Sequence, residues 1–61
     1  MKRCVKDIKF LQTFIYEGEM WYRGIEDDKF VNCNSVAEDE MGFAKKHITL
    51  PKDTKVDINY F

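Results

Sequence analysis

The chain lacks the residues on which several classes of small protein depend. It has two cysteines, Cys4 and Cys33, without CxxC spacing, and one histidine, His47. Two cysteines are too few for the disulfide framework of a small secreted domain. A structural zinc site takes about four Cys or His ligands at typical spacings, which these residues do not supply. We therefore expect no metal ion, no cofactor and reduced thiols, with Cys33 a small buried side chain.

Long apolar runs are missing too. No segment approaches the roughly 20 apolar residues of a membrane-spanning helix. No apolar segment follows the opening Met-Lys-Arg as it would in a signal peptide. We therefore expect a cytoplasmic protein that does not bind a membrane.

The strong positive charge that drives non-specific nucleic-acid binding is also absent. The formal net charge is −1. Residues 1–23 hold five basic and three acidic groups, residues 24–44 hold one basic and six acidic, and residues 45–61 hold four basic and two acidic. The acidic middle of the chain favours docking to a basic protein partner.

No enzyme motif is present. The 61 residues form one domain, 1–61, and a domain this small buries only about 60% of its unfolded surface, which leaves no room for a deep catalytic cleft. His47 has no nucleophile beside it in sequence and is typical of a surface or rim residue. A thiolate pair with Cys4 or Cys33 is the alternative, but we predict no catalytic residue and no enzyme.

Aromatic residues are abundant, with five Phe, three Tyr and one Trp, and such rings fill a small core efficiently. The richest segment is FIYEGEMWYRG. A two-residue turn at Glu17-Gly18 folds it into a β-hairpin, since glycine tolerates the positive φ of primed turns. Phe14 then faces Trp21, a type of pair that stabilises sheets. A turn one residue later would pair Tyr16 with Trp21 instead.

In the preferred hairpin register the Phe14–Trp21 pair lies on the inner face. Gln12 faces Arg23 across the hairpin. Tyr16 and Tyr22 then lie nearer the outside or the rim. We predict that these two tyrosines contact a partner, because binding hot spots are rich in Tyr and Trp.

The rest of the chain alternates strand and turn patterns. The segment RCVKDIKFLQ suits either one helical turn or an irregular strand. Strands are predicted at KFVNCNSV, at FAKKHITL and at KVDINYF, where Val56, Ile58 and Tyr60 share one face. PKDT is a turn signal.

Two acidic connections separate these strands. Neither has the ligand spacing of a calcium loop, and Ser35 with Glu38 has capping-box spacing for about one helical turn. We predict that the two acidic triplets steer a partner towards the chain: Glu26, Asp27, Asp28, Glu38, Asp39 and Glu40.

Lysines and aromatic residues near the C-terminus support an alternative. Lysines beside strand-borne rings are suited to single-stranded nucleic acid. The alternative is therefore a small SH3- or OB-like nucleic-acid-binding module that uses Tyr16, Tyr22, Lys45 and Lys46.

Together these patterns predict a mainly β fold. We expect a small antiparallel sheet of four to five strands curled into an SH3-like roll or partial barrel. Closure would hide strand edges that otherwise favour aggregation. An uncapped edge strand would instead allow a homodimer.

Several short motifs follow one another in order along the chain. They are a Lys-Asp pair between hydrophobic residues, a strand with Phe, a turn with Gly, a strand with an aromatic and then a basic residue, an Asn-containing strand, and an Asp-Thr-x-Val ending. The matching positions are Val5 to Ile8, Phe14, Gly18, Trp21 with Arg23, Asn32 to Val36, and Asp53 to Val56. In this order the motifs resemble a loose class of very short bacteriophage accessory proteins.

The resemblance implies a small β-rich protein expressed in a bacterial cytoplasm. It implies a non-enzymatic role in which the chain binds, and inhibits or redirects, a host protein. No catalytic residue is implied, because the shared outline contains none.

Overall fold

The computed structural model describes residues 2–58 as six β-strands and one short 3₁₀ helix. The elements in chain order are β1 Lys2–Cys4, the 3₁₀ helix Val5–Asp7, β2 Thr13–Tyr16, β3 Glu19–Glu26, β4 Phe30–Ser35, β5 His47–Pro51 and β6 Lys55–Ile58. The prediction of a mainly β fold is confirmed. The predicted inward position of Tyr60 concerns a residue outside the described range.

The strands form one open antiparallel sheet in the order β1-β6-β2-β3-β4-β5. The prediction of four to five strands curled into a roll or partial barrel was wrong. Closure would need β1 to pair with β5, but these strands lie at opposite edges of the sheet. The edges are protected in other ways, because both edge strands are short and Pro51 lies in β5.

The additional strand comes from the N-terminal segment, for which the sequence predicted either a helical turn or an irregular strand. The segment contains both structures. Arg3 pairs with Val56 in the β1–β6 ladder, and the 3₁₀ helix follows at once. The hydrogen bond from the amide of Val5 to the carbonyl of Thr54, 2.8 Å, extends the pairing beyond β1.

The β2–β3 hairpin has the predicted register. Glu17 and Gly18 have φ values of 55° and 76°, and positive φ at both positions defines a type I′ turn. Phe14 pairs with Trp21, and the amide of Arg23 donates to the carbonyl of Gln12 at 2.9 Å. Glycine at the second turn position therefore sets the register of the whole hairpin.

A β-bulge interrupts the β3–β4 ladder at Gly24. Arg23 pairs with Cys33, whereas Glu26 pairs with Val31, so β3 has one extra residue here. A side chain at Gly24 would place its Cβ 2.6 Å from the carbonyl oxygen of Asn32. Only glycine lets the two backbones approach this closely.

β4 follows the predicted alternation, with Val31 and Cys33 buried and Asn32 and Asn34 exposed. The segment after it is an acidic connection, as predicted. No helix forms between β4 and β5, because the Ser35 hydroxyl donates to the carbonyl of Ala37 rather than capping a helix.

β5 is shorter than predicted. It begins at His47 rather than at Phe43, so FAKK belongs to a loop. The PKDT turn is confirmed, since the amide of Thr54 donates to the carbonyl of Pro51 at 3.0 Å.

The core lies on one face of the sheet, which we call the inner face. Within the described part of the chain it consists of eight buried hydrophobic residues: Val5, Ile8, Phe14, Trp21, Val31, Cys33, Leu50 and Val56. Val5 and Ile8 come from the segment between β1 and β2, which therefore covers the inner face. The predicted inward position of the Phe14–Trp21 pair is confirmed.

The opposite side of β2 to β5 is the outer face. Successive residues of a strand point to opposite faces, and along β4 and β5 the outer positions are more exposed than their inner neighbours. The strand residues of the outer face are Thr13, Ile15, Met20, Tyr22, Ile25, Phe30, Asn32, Asn34, His47, Thr49 and Pro51. No other segment of residues 2–58 forms a second layer of strands or helices over this face.

Candidate protein-binding surface

The β4–β5 loop, residues 36–46, has a defined conformation at its base. The amide of Lys46 donates to the Ser35 hydroxyl at 3.0 Å, and the amide of Lys45 donates to the carbonyl of Ala37 at 2.9 Å. These bonds tie the two ends of the loop together beside the sheet.

Asp39 fixes the far part of the β4–β5 loop. One carboxylate oxygen accepts hydrogen bonds from the amides of Met41, at 2.9 Å, and Phe43, at 3.1 Å. The amide of Asp39 donates to the carbonyl of Phe43 at 2.8 Å. Gly42 has φ of 84°, a value that suits glycine and closes the turn.

This ordered turn holds two large apolar side chains in solvent. Met41 is 80% exposed and Phe43 is 66% exposed. Among residues 2–58 only eight hydrophobic residues form the buried core, so leaving two large apolar side chains in solvent is unusual. Exposed apolar groups of this kind mark interaction sites.

The apolar pair has acidic neighbours. Glu38 and Glu40 are exposed, and neither takes part in a salt bridge among residues 2–58. Lys46 at the base of the loop is neutralised by Glu19, whose carboxylate lies 2.7 Å from its ammonium group. The part of the loop around Met41 is therefore acidic.

A groove of about 440 Å³ lies at the base of the β4–β5 loop, beside the β2–β3 hairpin. Its lining includes Met20, Val36, Ala37, Lys45 and Lys46. The lining is mainly apolar, with charged groups from Glu19, Lys45 and Lys46.

The other acidic triplet begins with Glu26, which forms ion pairs within the chain. Glu26 lies 3.0 Å from the guanidinium of Arg23 and 3.2 Å from the ammonium of Lys52. Hydrogen bonds from Arg23 and then from Lys52 lower the pKa of Glu26 below its ordinary value of 4.5. This carboxylate is paired within the chain and adds little to the field that a partner meets.

Asp27 organises the turn between β3 and β4. Its carboxylate accepts hydrogen bonds from the amides of Lys29, at 3.0 Å, and Phe30, at 2.8 Å. These two bonds lower the pKa of Asp27 below its ordinary value of 3.8. Asp28 is exposed in the same turn.

The two acidic triplets lie at opposite ends of β4. Its six residues span about 20 Å at roughly 3.3 Å per residue. Residues 26–28 precede β4 and residues 38–40 follow it, so the structure does not bring the six predicted steering residues together.

The two tyrosines predicted to share the outer side lie on opposite faces. Tyr16 is two residues from Phe14 on β2 and packs against the core. Its carbonyl accepts a hydrogen bond from the indole of Trp21 at 3.2 Å. Tyr22 pairs with Thr13 on the outer face and is 39% exposed. Tyr16 is therefore half-buried at the end of β2 and does not share the outer face with Tyr22.

The nucleic-acid alternative stays a prediction, and the geometry gives it little support. Tyr16 and Tyr22 lie on different faces, so they do not form one stacking platform. Lys46 is paired with Glu19, which leaves Lys45 as the exposed lysine of the predicted pair without a salt bridge among residues 2–58.

The thiols and the histidine lie apart. Cys33 is buried in the core, and burial raises the pKa of its thiol. Cys4 is half-buried beside the ammonium of Lys55, at 3.4 Å. The ring of His47 bonds the Asn34 amide oxygen at 2.6 Å on the outer face, opposite to the Cys33 side.

Within residues 2–58 no three His, Cys, Asp or Glu side chains lie close enough together to hold a metal ion. No helix in this part of the chain has the length and apolar character needed to cross a membrane.

Comparisons with family models, with curated proteins and with solved structures find no match to this chain. The class that the structure itself defines is a small open β-sheet protein with an exposed apolar loop.

Sequence reasoning missed Met41 and Phe43. It assigned Phe43 to a strand and used only the charge of the preceding acidic residues, which it predicted to steer a partner. The available signal was the order Asp-Glu-Met-Gly-Phe, in which a turn-forming Asp and Gly surround large apolar residues.

Proposed function

We propose that this chain is a non-enzymatic accessory protein that binds another protein through its β4–β5 loop. The observation that carries the proposal is the exposure of Met41 and Phe43 on a backbone that Asp39 holds in place. The apolar side chains supply contact area, and the partner would bury them.

The fixed conformation of the loop supports this use. Ordering a flexible loop on binding costs free energy. Here the turn is already closed by hydrogen bonds to Asp39 and by Gly42. More of the free energy of burying Met41 and Phe43 therefore appears as affinity.

The acidic neighbours suggest the chemistry of the partner. Glu38 and Glu40 would approach basic groups around an apolar pocket, since complementary charge raises the rate of encounter and excludes other partners. The resemblance to short bacteriophage proteins points to a bacterial host protein in the cytoplasm. Inhibiting or redirecting that protein is the role we propose.

Affinity capture from a bacterial lysate tests the proposal. Wild type, Phe43→Ser and Phe10→Ser are immobilised at equal density, and captured proteins are identified by mass spectrometry. Phe10 is the matched control because it is 59% exposed and lies outside the β4–β5 loop. Circular dichroism verifies that all three proteins fold.

We expect wild type and Phe10→Ser to capture the same protein and Phe43→Ser to lose at least about tenfold of it, because truncating a central contact costs more than about 1.4 kcal/mol. Equal capture by Phe43→Ser, or no protein specific to wild type, would contradict the proposal.

A further inference from the structure

The outer face carries no formal charge. Its residues on β2 to β5 include no Asp, Glu, Lys or Arg, although these types make up 34% of the chain. Charged side chains on this side of the sheet lie on β1 and β6, where Lys2 pairs with Asp57 at 3.5 Å. A charge-free area of this extent is costly to solubility and calls for a physical reason.

Polar groups of the outer face bond one another. The hydroxyl of Thr49 donates to the amide oxygen of Asn32 at 3.1 Å, and the amide nitrogen of Asn32 donates to the carbonyl of Ile25 at 3.1 Å. Asn34 and His47 bond at 2.6 Å. Because these groups already have partners, covering the face leaves few polar groups unpaired.

Apolar side chains lie among these polar groups. Ile15 and Met20 form a half-buried cross-strand pair. Tyr22, Phe30 and Ile25 are exposed, the last at 70%. Burial of these side chains would supply the driving force for association.

We propose that the outer face binds a second copy of this chain, so that two sheets pack face to face as a symmetric dimer. In a two-fold interface, residues near the axis meet their own copies. A charged residue there would meet the same charge, whereas the charge-free outer face pairs with itself without repulsion. A strongly charged partner would gain no electrostatic complementarity from it.

The dimensions of the face limit any dimer to a weak one. Four strands about 4.8 Å apart and about five residues long give a patch of roughly 19 by 17 Å. This is below the roughly 800 Å² per partner of a standard interface. Dimerisation therefore depends on protein concentration.

A dimer formed through the exposed edge of β5 would have fewer backbone hydrogen bonds available than an uninterrupted edge strand offers. The amide of Ser35 donates to the carbonyl of Lys46, and bonded pairs alternate along an antiparallel ladder. His47, Thr49 and Pro51 therefore direct their backbone groups away from β4. Pro51 has no N–H, so within β5 only His47 and Thr49 offer both a backbone donor and a backbone acceptor at the exposed edge.

Sedimentation velocity on the purified protein tests the dimer, and it does so independently of the proposed host partner. Wild type is measured from about 10 µM to about 1 mM, the range in which weak complexes dissociate. Ile25→Lys and Tyr22→Lys place a charge on the outer face. Met41→Lys places the same charge on the β4–β5 loop and is the matched control. Near-ultraviolet circular dichroism of Trp21 verifies folding.

We expect the mass of wild type and Met41→Lys to rise from 7.3 kDa towards twice that value as concentration increases. Ile25→Lys and Tyr22→Lys remain monomeric. A wild type that stays monomeric throughout overturns the inference, as does a dimer that Ile25→Lys leaves intact. Loss of the dimer in Met41→Lys alone would place the interface on the loop and also overturn it.

Discussion

Arg23 is a charged residue in an apolar core, and its contacts explain how the fold tolerates it. One guanidinium nitrogen donates to the carbonyl of Gly24 at 2.7 Å, and another lies 3.0 Å from Glu26. Its Nε has no hydrogen-bond partner among residues 2–58. Both contacts join residues at or next to the bulge, so Arg23 holds the irregular part of β3 together.

The ion pairs of Glu26 predict a pH dependence of stability. The folded-state pKa of Glu26 is lowered, first by Arg23 and then by Lys52. The stabilisation is therefore present above the unfolded-state pKa of about 4.5 and is lost as pH falls through the lower folded-state value. We expect the melting temperature of wild type to exceed that of Glu26→Gln at pH 7, with the difference shrinking below about pH 4.5.

Glu40→Gln is the control for this measurement, because it removes an exposed carboxylate that contacts neither Arg23 nor Lys52. Thermal unfolding is followed by circular dichroism at each pH. A difference between wild type and Glu26→Gln that does not change with pH would contradict the role assigned to these ion pairs. Added salt should reduce the difference, since exposed pairs are screened.

Among the elements, the β2–β3 hairpin was predictable because the residues that determine it are close together in the sequence. Gly18 fixes the turn, and alternation along β2 and β3 then places Phe14 and Trp21 inside. β4 was predictable from the same alternation. The strand β1 was not, because its partner β6 lies at the other end of the chain and three residues carry no periodic pattern.

The β4–β5 loop was missed for a different reason. FAKKHITL contains strand-forming residues, but the Asp39 carboxylate accepts from the amides of Met41 and Phe43 and the Ser35 hydroxyl accepts from the amide of Lys46. These bonds hold residues 41–46 in a loop. Side-chain hydrogen bonds to the backbone compete with strand pairing, and composition does not reveal which will form.

Asp39→Ala tests whether this carboxylate orders the loop. Each amide that loses its acceptor loses about 1 kcal/mol of local stability, so hydrogen exchange of the Met41 and Phe43 amides should quicken about fivefold. Exchange at Val31 and Cys33 in β4 should not change. Glu40→Ala is the control within the loop, and an equal effect of both variants, or none in either, would refute the role of Asp39.

At the scale of the whole molecule, the core and the proposed binding surfaces lie in different parts of the sheet. The inner face and the segment that covers it account for the core. The outer face and the β4–β5 loop contribute little to that core. The open shape was not predictable from the sequence, because strand patterns specify faces and turns but not whether the last strands meet.

The proposed site was predictable only in part. Acidic residues 38–40 were named from charge alone, and they do lie beside the exposed apolar pair. Tyr16 was named for its residue type and residues 26–28 for their charge. In the structure Tyr16 packs against the core, Glu26 pairs with Arg23 and Asp27 bonds the turn between β3 and β4. Sequence composition shows which residues can bind, whereas the backbone decides which of them are free to do so.

The central claim is that Phe43 touches a partner protein, and photo-cross-linking tests it most directly. A benzophenone amino acid replaces Phe43 in one protein and Phe10 in another, and each is irradiated in bacterial lysate. We predict one dominant protein adduct from position 43, attached to an apolar peptide near Lys or Arg residues, and no such adduct from position 10. Equal labelling from both positions, or no adduct from position 43, would contradict the account.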